Sequence, residues 1–88
     1  MRRDAEAYDR IKRATELDPN FSTAWQYRGE LEMGKLDYLA AIESLTRALS
    51  INQTAAALAK REECYRKLGL LVKAEEDHVA LQQIRTMK

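Results

Sequence analysis

The sequence predicts an all-α protein whose five helices form a right-handed superhelical stack of antiparallel helix hairpins, an α-solenoid. The first reason is a repeat, since Ala7, Ala41 and Ala74 stand 34 and 33 residues apart. Self-similarity at such a period indicates one supersecondary unit copied in tandem, because each copy covers the apolar side of its neighbour. The second reason is that the 88 residues contain only three glycines and one proline. The predicted connectors are therefore short, and short connectors make neighbouring helices pack antiparallel.

The first predicted helix covers residues 4–17. It ends at Asp18-Pro19-Asn20, because a proline forces the residue before it out of the helical conformation. We expect Asn20 to cap the helix that follows. One side of the first helix is apolar at spacings of four, three and three residues, which forms one stripe on a 3.6-residue helix. This stripe consists of Ala7, Ile11, Ala14 and Leu17.

The second predicted helix covers residues 21–33. We expect Gly34-Lys35 to close it through a residue in the left-handed conformation. Trp25 is expected to fill the hairpin core, and Gly29 allows another backbone to approach closely. The residues expected on its packing side are Trp25, Gly29 and either Leu31 or Glu32.

Three further helices follow from the same spacing of apolar residues. The third covers residues 37–50, the fourth runs from Thr54, a plausible N-cap, to Leu68-Gly69, and the fifth covers residues 71–87. Their predicted inward residues are Ala41, Leu45, Ala48 and Leu49, then Leu58, Tyr65 and Leu68, and finally Ala74, Val79, Leu81 and Ile84.

Composition and charge narrow the classes of function. Fifteen Lys and Arg stand against fourteen Asp and Glu, without the basic stripe from which nucleic-acid binders draw most of their affinity. No apolar run approaches the ~18 residues that span a bilayer, and no signal peptide opens the chain. Cys64 is the only cysteine, which excludes an intrachain disulfide and fits a reducing compartment. We therefore expect a cytoplasmic protein without a nucleic-acid or membrane partner.

The repeated pattern resembles the tetratricopeptide repeat, a helix-turn-helix unit of about 34 residues. The resemblance implies a single domain over residues 1–88. Residues 4–17 are then the second helix of an incomplete repeat, residues 21–50 are repeat two, and residues 54–87 are repeat three with a capping last helix. Repeat two matches best, through Trp25, Gly29, Tyr38, Ala41, Leu45 and Ala48.

Repeat three departs from the family pattern at two positions. Glu62 stands where a small residue is usual, and His78 stands where a large apolar residue is usual. A terminal repeat has no neighbour to cover its outer side, so polar replacements cost little there and protect solubility.

Tetratricopeptide modules bind an extended peptide or a helix in a concave groove lined by the first helix of each hairpin. The resemblance therefore implies a scaffold or adaptor role within a larger protein. The implied partner is a protein or peptide rather than a small-molecule substrate, and no cofactor is implied. The candidate groove residues follow the three-and-four spacing of one helical side. They are Thr23, Gln26, Tyr27, Glu30, Met33, Lys60, Glu63 and Lys67.

The alternative is a structural element that stacks on flanking repeats or forms a homodimer, with no separate ligand. The first helix of repeat one is missing, which leaves an apolar helix side to be covered. A second apolar feature is Leu70-Leu71-Val72, which is expected to be partly buried against the fourth helix or else to form an exposed docking patch. The candidate self-association residues are Tyr8, Ile11, Leu70 and Leu71.

Cys64 and His78 are the only pair that could supply a nucleophile and a base. Cys64 falls on the predicted packing side of its helix, where desolvation raises the pKa of a thiol and makes it inert. One histidine and one cysteine also fall short of the four ligands that structural zinc takes. We therefore expect neither an enzyme nor a metal protein.

Overall fold

A computed structural model describes residues 2–87 of the chain, and the side chains of residues 5–87. The described chain is all-helical, and every predicted helix boundary lies within two residues of the observed one. The periodicity of apolar residues and the positions of the helix breakers were therefore sufficient to define the elements. The helices are α1 (Arg2–Leu17), α2 (Ser22–Gly34), α3 (Tyr38–Ile51), α4 (Ala55–Lys67) and α5 (Leu71–Thr86).

Each helix packs against the next one in the sequence, and α2 additionally touches α4. Within residues 2–87, α1 and α3 make no contact with each other. The molecule measures 37 × 28 × 16 Å, as expected for a row of hairpins rather than a closed bundle. This packing of adjacent helices fits a helical repeat.

The core lies at the junction of α2, α3 and α4. Leu45 is fully buried there beside Gly29, and a Cβ atom added to Gly29 would lie 2.7 Å from Cγ of Leu45. The absence of a side chain at Gly29 therefore allows α2 and α3 to approach closely, as the sequence predicts. The central cluster is Ala41, Leu45, Ala57 and Cys64, with Met33, Tyr38, Ile42 and Leu49 packed against it.

The repeated alanines are inward-facing contact points. Ala41 and Ala74 are fully buried, whereas Ala7 is half-buried. Within the described chain, α1 packs only against the helix that follows it, whereas α3 and α5 each pack against the helix that precedes them. The predicted stripe on α1 is wrong at its last member, since Leu17 is exposed next to the turn and the buried residue of this segment is Thr15.

Of the two N-cap residues predicted from the sequence, one caps its helix in the structure and the other does not. Thr54 caps α4, and its hydroxyl oxygen accepts a hydrogen bond from the Ala57 amide at 3.2 Å. The expected cap at Asn20 is wrong, because the N-cap residue of α2 is Phe21, which has no side-chain acceptor. The Asn20 amide instead donates to the Asp18 side chain at 3.4 Å, within the turn.

The left-handed residue after α2 is Leu36 with φ 64°, not a residue of the Gly34-Lys35 pair as expected. The Asp37 amide donates to the Glu32 carbonyl at 2.9 Å, which closes a Schellman-type turn around Leu36. The same turn recurs 33 residues later, where Gly69 has φ 75°. Thus one repeat uses glycine at this position and the other uses leucine.

Replacing Leu36 with glycine is expected to raise the free energy of unfolding by about 0.5 kcal/mol. A left-handed conformation costs a side-chain-bearing residue about 1–2 kcal/mol, and the larger unfolded-state entropy of glycine cancels part of the gain. Gly69→Ala, the matched change in the other turn, is expected to lower the free energy of unfolding by about 1 kcal/mol. Chemical denaturation measures both variants, and shifts of the same sign would contradict the assignment.

The last repeat replaces one apolar contact with a polar one. Glu62 and His78 stand 33 residues after Gly29 and Leu45, respectively. Oε2 of Glu62 lies 3.3 Å from Nδ1 of His78 and accepts hydrogen bonds from Arg66. The two departures that the sequence shows separately are therefore contact partners in the structure.

Candidate functional site

The predicted groove residues lie on the neighbouring helices α2 and α4, whose contact places the two sets side by side. Thr23, Tyr27, Glu63 and Lys67 are exposed, and Gln26, Glu30 and Lys60 are partly exposed. Met33 differs from the others because its side chain packs against the core cluster. We call the remaining seven residues the α2/α4 surface: Thr23, Gln26, Tyr27, Glu30, Lys60, Glu63 and Lys67.

Gln26 links the two helices of the α2/α4 surface. Its Oε1 accepts a hydrogen bond from the hydroxyl of Thr54, the N-cap of α4, at 3.3 Å. Its Nε2 donates to Oε2 of Glu30 at 3.1 Å, one turn further along α2. These bonds hold polar groups of both helices in fixed positions. The surface carries charges of both signs, from Glu30 and Glu63 and from Lys60 and Lys67.

The predicted self-association residues lie on α1 and at the start of α5. Tyr8 and Ile11 are half-buried, and the Tyr8 hydroxyl donates a hydrogen bond to Glu32. Leu70 and Leu71 are exposed, as is Val72. The favoured expectation of partial burial for this run is therefore wrong, since Leu70, Leu71 and Val72 are 43%, 61% and 76% exposed.

A cleft that the sequence does not predict lies between α1 and α3, with α2 as its floor. It has a volume of about 430 Å³, and it exists because α1 and α3 do not touch within the described chain. Both walls and the floor contribute charged or aromatic side chains. We call this the α1–α3 cleft; its lining residues are Tyr8, Trp25, Arg28, Glu32, Ala40, Glu43, Ser44 and Arg47.

A buried carboxylate organises the floor of the cleft. Glu32 is only 3% exposed, and it accepts hydrogen bonds from the Tyr8 hydroxyl at 2.7 Å and the Ser44 hydroxyl at 2.6 Å. The Arg28 guanidinium pairs with the same carboxylate at 3.4 Å and also donates to the Thr15 hydroxyl at 2.8 Å. The hydrogen bond to Glu32 raises the pKa of Tyr8. This network joins α1, α2 and α3. Its hydrogen bonds and ion pair offset the free-energy cost of burying the Glu32 carboxylate.

Trp25 is half-buried in the cleft rather than in the core, which corrects the expectation from the repeat pattern. Its indole Nε1 donates to the Pro19 carbonyl at 2.9 Å. The guanidinium carbons of Arg28 and Arg47 lie 5.1 and 5.9 Å from the centre of the Trp25 ring. The ring is therefore anchored by its own hydrogen bond and contacted by two cations.

The equivalent position in the next repeat has a different electrostatic arrangement. Arg61 stands 33 residues after Arg28 and makes two hydrogen bonds with the buried Asp77, at 2.7 and 2.8 Å. It also donates to the Thr46 hydroxyl at 3.1 Å, which connects α3, α4 and α5. The bonds to Asp77 raise the pKa of Arg61. Repeat two has Ser44 at the position of Asp77, so Arg28 pairs with Glu32 instead.

The catalytic pair considered from the sequence is not assembled in the structure. Cys64 is fully buried in the core, and desolvation, with a smaller contribution from Glu63, raises the pKa of its thiol to about 11. The His78 side chain of α5 instead contacts Glu62 of α4, with 3.3 Å between Nδ1 and Oε2. Within the described part of the chain, no three metal-binding side chains cluster.

Neither a protein-family model nor a curated protein matches this chain. The resemblance to the tetratricopeptide repeat therefore depends only on the residues and their spacing. Every helix within residues 2–87 is too short or too polar to cross a lipid bilayer.

Of the two residues that the sequence offered for the packing side of α2, Glu32 is buried and Leu31 is half-buried. The other polar members of the network, Thr15, Arg28 and Ser44, are what sequence reasoning missed. Arg28 and Arg61 recur at the repeat interval. An arginine that recurs on equivalent helices of two repeats is the signal that could have revealed the network.

Proposed function

We propose that this chain is a tetratricopeptide-type module that binds a peptide or helix of a partner protein on the α2/α4 surface. The observation that carries the proposal is the lateral contact of α2 and α4. Both helices contribute to the core, through Gly29 and Ala57, and both also present polar side chains to solvent. A right-handed superhelix, a scaffold or adaptor role in a cytoplasmic protein and the absence of catalysis belong to the same proposal.

The chemistry of the α2/α4 surface indicates the kind of segment it would bind. Tyr27 is 51% exposed and offers an aromatic ring with a hydroxyl group, a residue type enriched at protein interfaces. Carboxylates and ammonium groups are interspersed around it, so a partner segment with both charge signs complements the surface. Gln26 is already hydrogen bonded to Thr54 and Glu30, which reduces the entropy that binding must remove.

The test is a selection of phage-displayed random peptides on the immobilised chain, followed by calorimetric titration of one enriched synthetic peptide. Tyr27→Ala/Lys60→Ala is expected to weaken binding by about tenfold or more, because it removes an aromatic contact and a charge. Its thermal stability is expected to stay nearly unchanged, since exposed positions usually contribute under ~0.5 kcal/mol.

Phe21→Ala/Lys73→Ala is the matched control. Phe21 has the same 51% exposure as Tyr27, and Lys73 is an exposed lysine on α5, so the control removes equivalent groups elsewhere. Equal affinity of the enriched peptide for the test and control variants would refute the α2/α4 surface. Failure to enrich any peptide sequence would count against it as well.

Self-association is the second candidate, and one observation favours it. Ala7, Ile11 and Ala14 are half-buried, whereas the equivalent Ala41 and Leu45 of α3 are fully buried. A second copy of the chain would cover this side of α1. Sedimentation velocity across a hundredfold range of concentration tests it, and a constant monomer mass would contradict it.

A further inference from the structure

We propose that the α1–α3 cleft binds an acidic side chain of a partner polypeptide. This site is separate from the α2/α4 surface. Successive residues of an α-helix are about 100° apart, so Trp25, Arg28 and Glu32 project from α2 on the side opposite to Tyr27 and Glu30. One module could then hold partner segments on two opposite sides of α2.

The cations of the cleft favour an anionic ligand. Arg28 and Arg47 both lie close to the Trp25 ring. Glu32 neutralises Arg28, while within the described chain no carboxylate forms an ion pair with Arg47. Lys35 lies over the Tyr8 ring at 3.6 Å but does not line the cleft. A carboxylate brought to Arg47 would supply the ion-pair partner that this guanidinium lacks among the described residues.

Two carboxylates already belong to the cleft, and their positions differ. Glu32 is buried and its oxygens are used by Tyr8, Ser44 and Arg28. Glu43 is exposed and lies one turn before Arg47 on α3. The lining therefore contains two arginines and two carboxylates, and the Glu32 carboxylate is already satisfied inside the floor.

The donors are preorganised for a carboxylate. A guanidinium has five N–H groups, and the described hydrogen bonds of Arg28 use its Nε and one position at Nη1. Further N–H groups of Arg28 and those of Arg47 remain for two-point binding of a carboxylate. Trp25 is fixed by its bond to the Pro19 carbonyl and supplies an apolar face for the stem of the bound side chain.

Comparison of the two repeats shows that the fold does not require a tryptophan and a second arginine at these positions. The positions of Trp25, Ser44 and Arg47 are occupied 33 residues later by Leu58, Asp77 and Ala80. There, Asp77 takes two N–H groups of the equivalent arginine. Repeat three thus supplies its own carboxylate in that place. Repeat two has Ser44 in that place, pairs its arginine with Glu32 instead, and adds Arg47 and the ring of Trp25.

The volume of about 430 Å³ limits what can enter the cleft. It is at the small end of the range for small-molecule pockets, and a folded element such as a helix would not fit between α1 and α3. An extended segment that inserts one acidic side chain, with an apolar neighbour against the indole, fits this space.

The experiment uses Trp25 as its own reporter, because it is the only tryptophan of the chain. The probes are five pools of short capped peptides with randomised non-aromatic flanks, each pool having one fixed central residue: Glu, Asp, Gln, Lys or phosphoserine. The Glu and Asp pools are expected to change the Trp25 fluorescence saturably, and the Gln and Lys pools are not. An equal response to Gln, no saturable response to Glu or Asp, or a response to phosphoserine alone would overturn the proposal.

Variants identify the group that binds. Arg47→Ala is expected to weaken binding of the Glu pool about tenfold or more, and Arg47→Lys to weaken it less, because a lysine keeps the charge without the two-point geometry. Arg85→Ala removes the same charge from an exposed position on α5 and is expected to change the affinity less than twofold. Indistinguishable affinities of Arg47→Ala and Arg85→Ala would rule out the cleft, whatever the outcome for the α2/α4 surface.

Discussion

Replacing Leu45 with alanine is expected to lower the free energy of unfolding by about 3 kcal/mol. Leu45 is fully buried in the core cluster and packs directly on Gly29 of α2. Glycine has no side chain with which to fill the space, so the cavity left by the substitution would persist. For a chain of this size, with a total stability of roughly 5 to 10 kcal/mol, the loss is a large fraction. Urea denaturation followed by circular dichroism measures it.

Leu39→Ala is the control on the same helix. Leu39 is 67% exposed, so the same change of residue there is expected to cost less than ~0.5 kcal/mol. Similar losses for the two variants would mean that α3 presents a different side to α2 than the structure shows.

Replacing Asp77 with alanine is expected to cost about 3 kcal/mol, at the lower end for a broken buried ion pair. The substitution leaves the Arg61 guanidinium without its two hydrogen bonds to Asp77, although its side chain is only 19% exposed. Arginine cannot lose its proton to relieve the penalty. Thermal and urea unfolding measure the loss, and Glu76→Ala, an exposed neighbour of equal charge, is expected to change the stability by less than ~0.5 kcal/mol.

The internal repeat provides a rescue of the Asp77 variant. In repeat two, the arginine equivalent to Arg61 pairs with Glu32, and Tyr65 stands at that position in repeat three. Tyr65→Glu/Asp77→Ser would therefore install the arrangement of repeat two around Arg61. We expect it to be about 1.5 kcal/mol more stable than Asp77→Ser alone, the lower end of the range for a hydrogen bond to a charged group. No recovery would show that the two repeats satisfy their arginines by unrelated means.

The helices were predictable because their determinants are local. Apolar spacing, Pro19 and the two glycine-containing turns lie within the segments that they define, and the observed boundaries follow them closely. The errors lie where backbone geometry decides between neighbouring residues. The turn after α2 uses Leu36 instead of Gly34 or Lys35, and the N-cap residue of α2 is Phe21 rather than Asn20.

The α1–α3 cleft was not predictable because it depends on three helices at once. Tyr8 and Ser44 meet at Glu32 across 24 and 12 residues of sequence, and no periodic pattern specifies such a meeting. The prediction that Trp25 fills the hairpin core was wrong for the same reason. A repeat pattern places it between helices, but the separation of α1 from α3 leaves one side of the ring open.

The sequential packing of the helices also determines how the molecule opens. Among the residues that the structure describes, α1 and α5 each pack on a single partner helix, so we expect either one to detach without breaking contacts in the opposite half. Local opening free energies are therefore expected to be lowest at the two ends and to approach the global value in α3. In native-state hydrogen exchange, the amides of α1 would exchange early and those around Leu45 last. A partner that binds both α1 and α3 would hold α1 against the rest of the molecule. Hydrogen exchange of the α1 amides would then be slower in the complex than in the free protein.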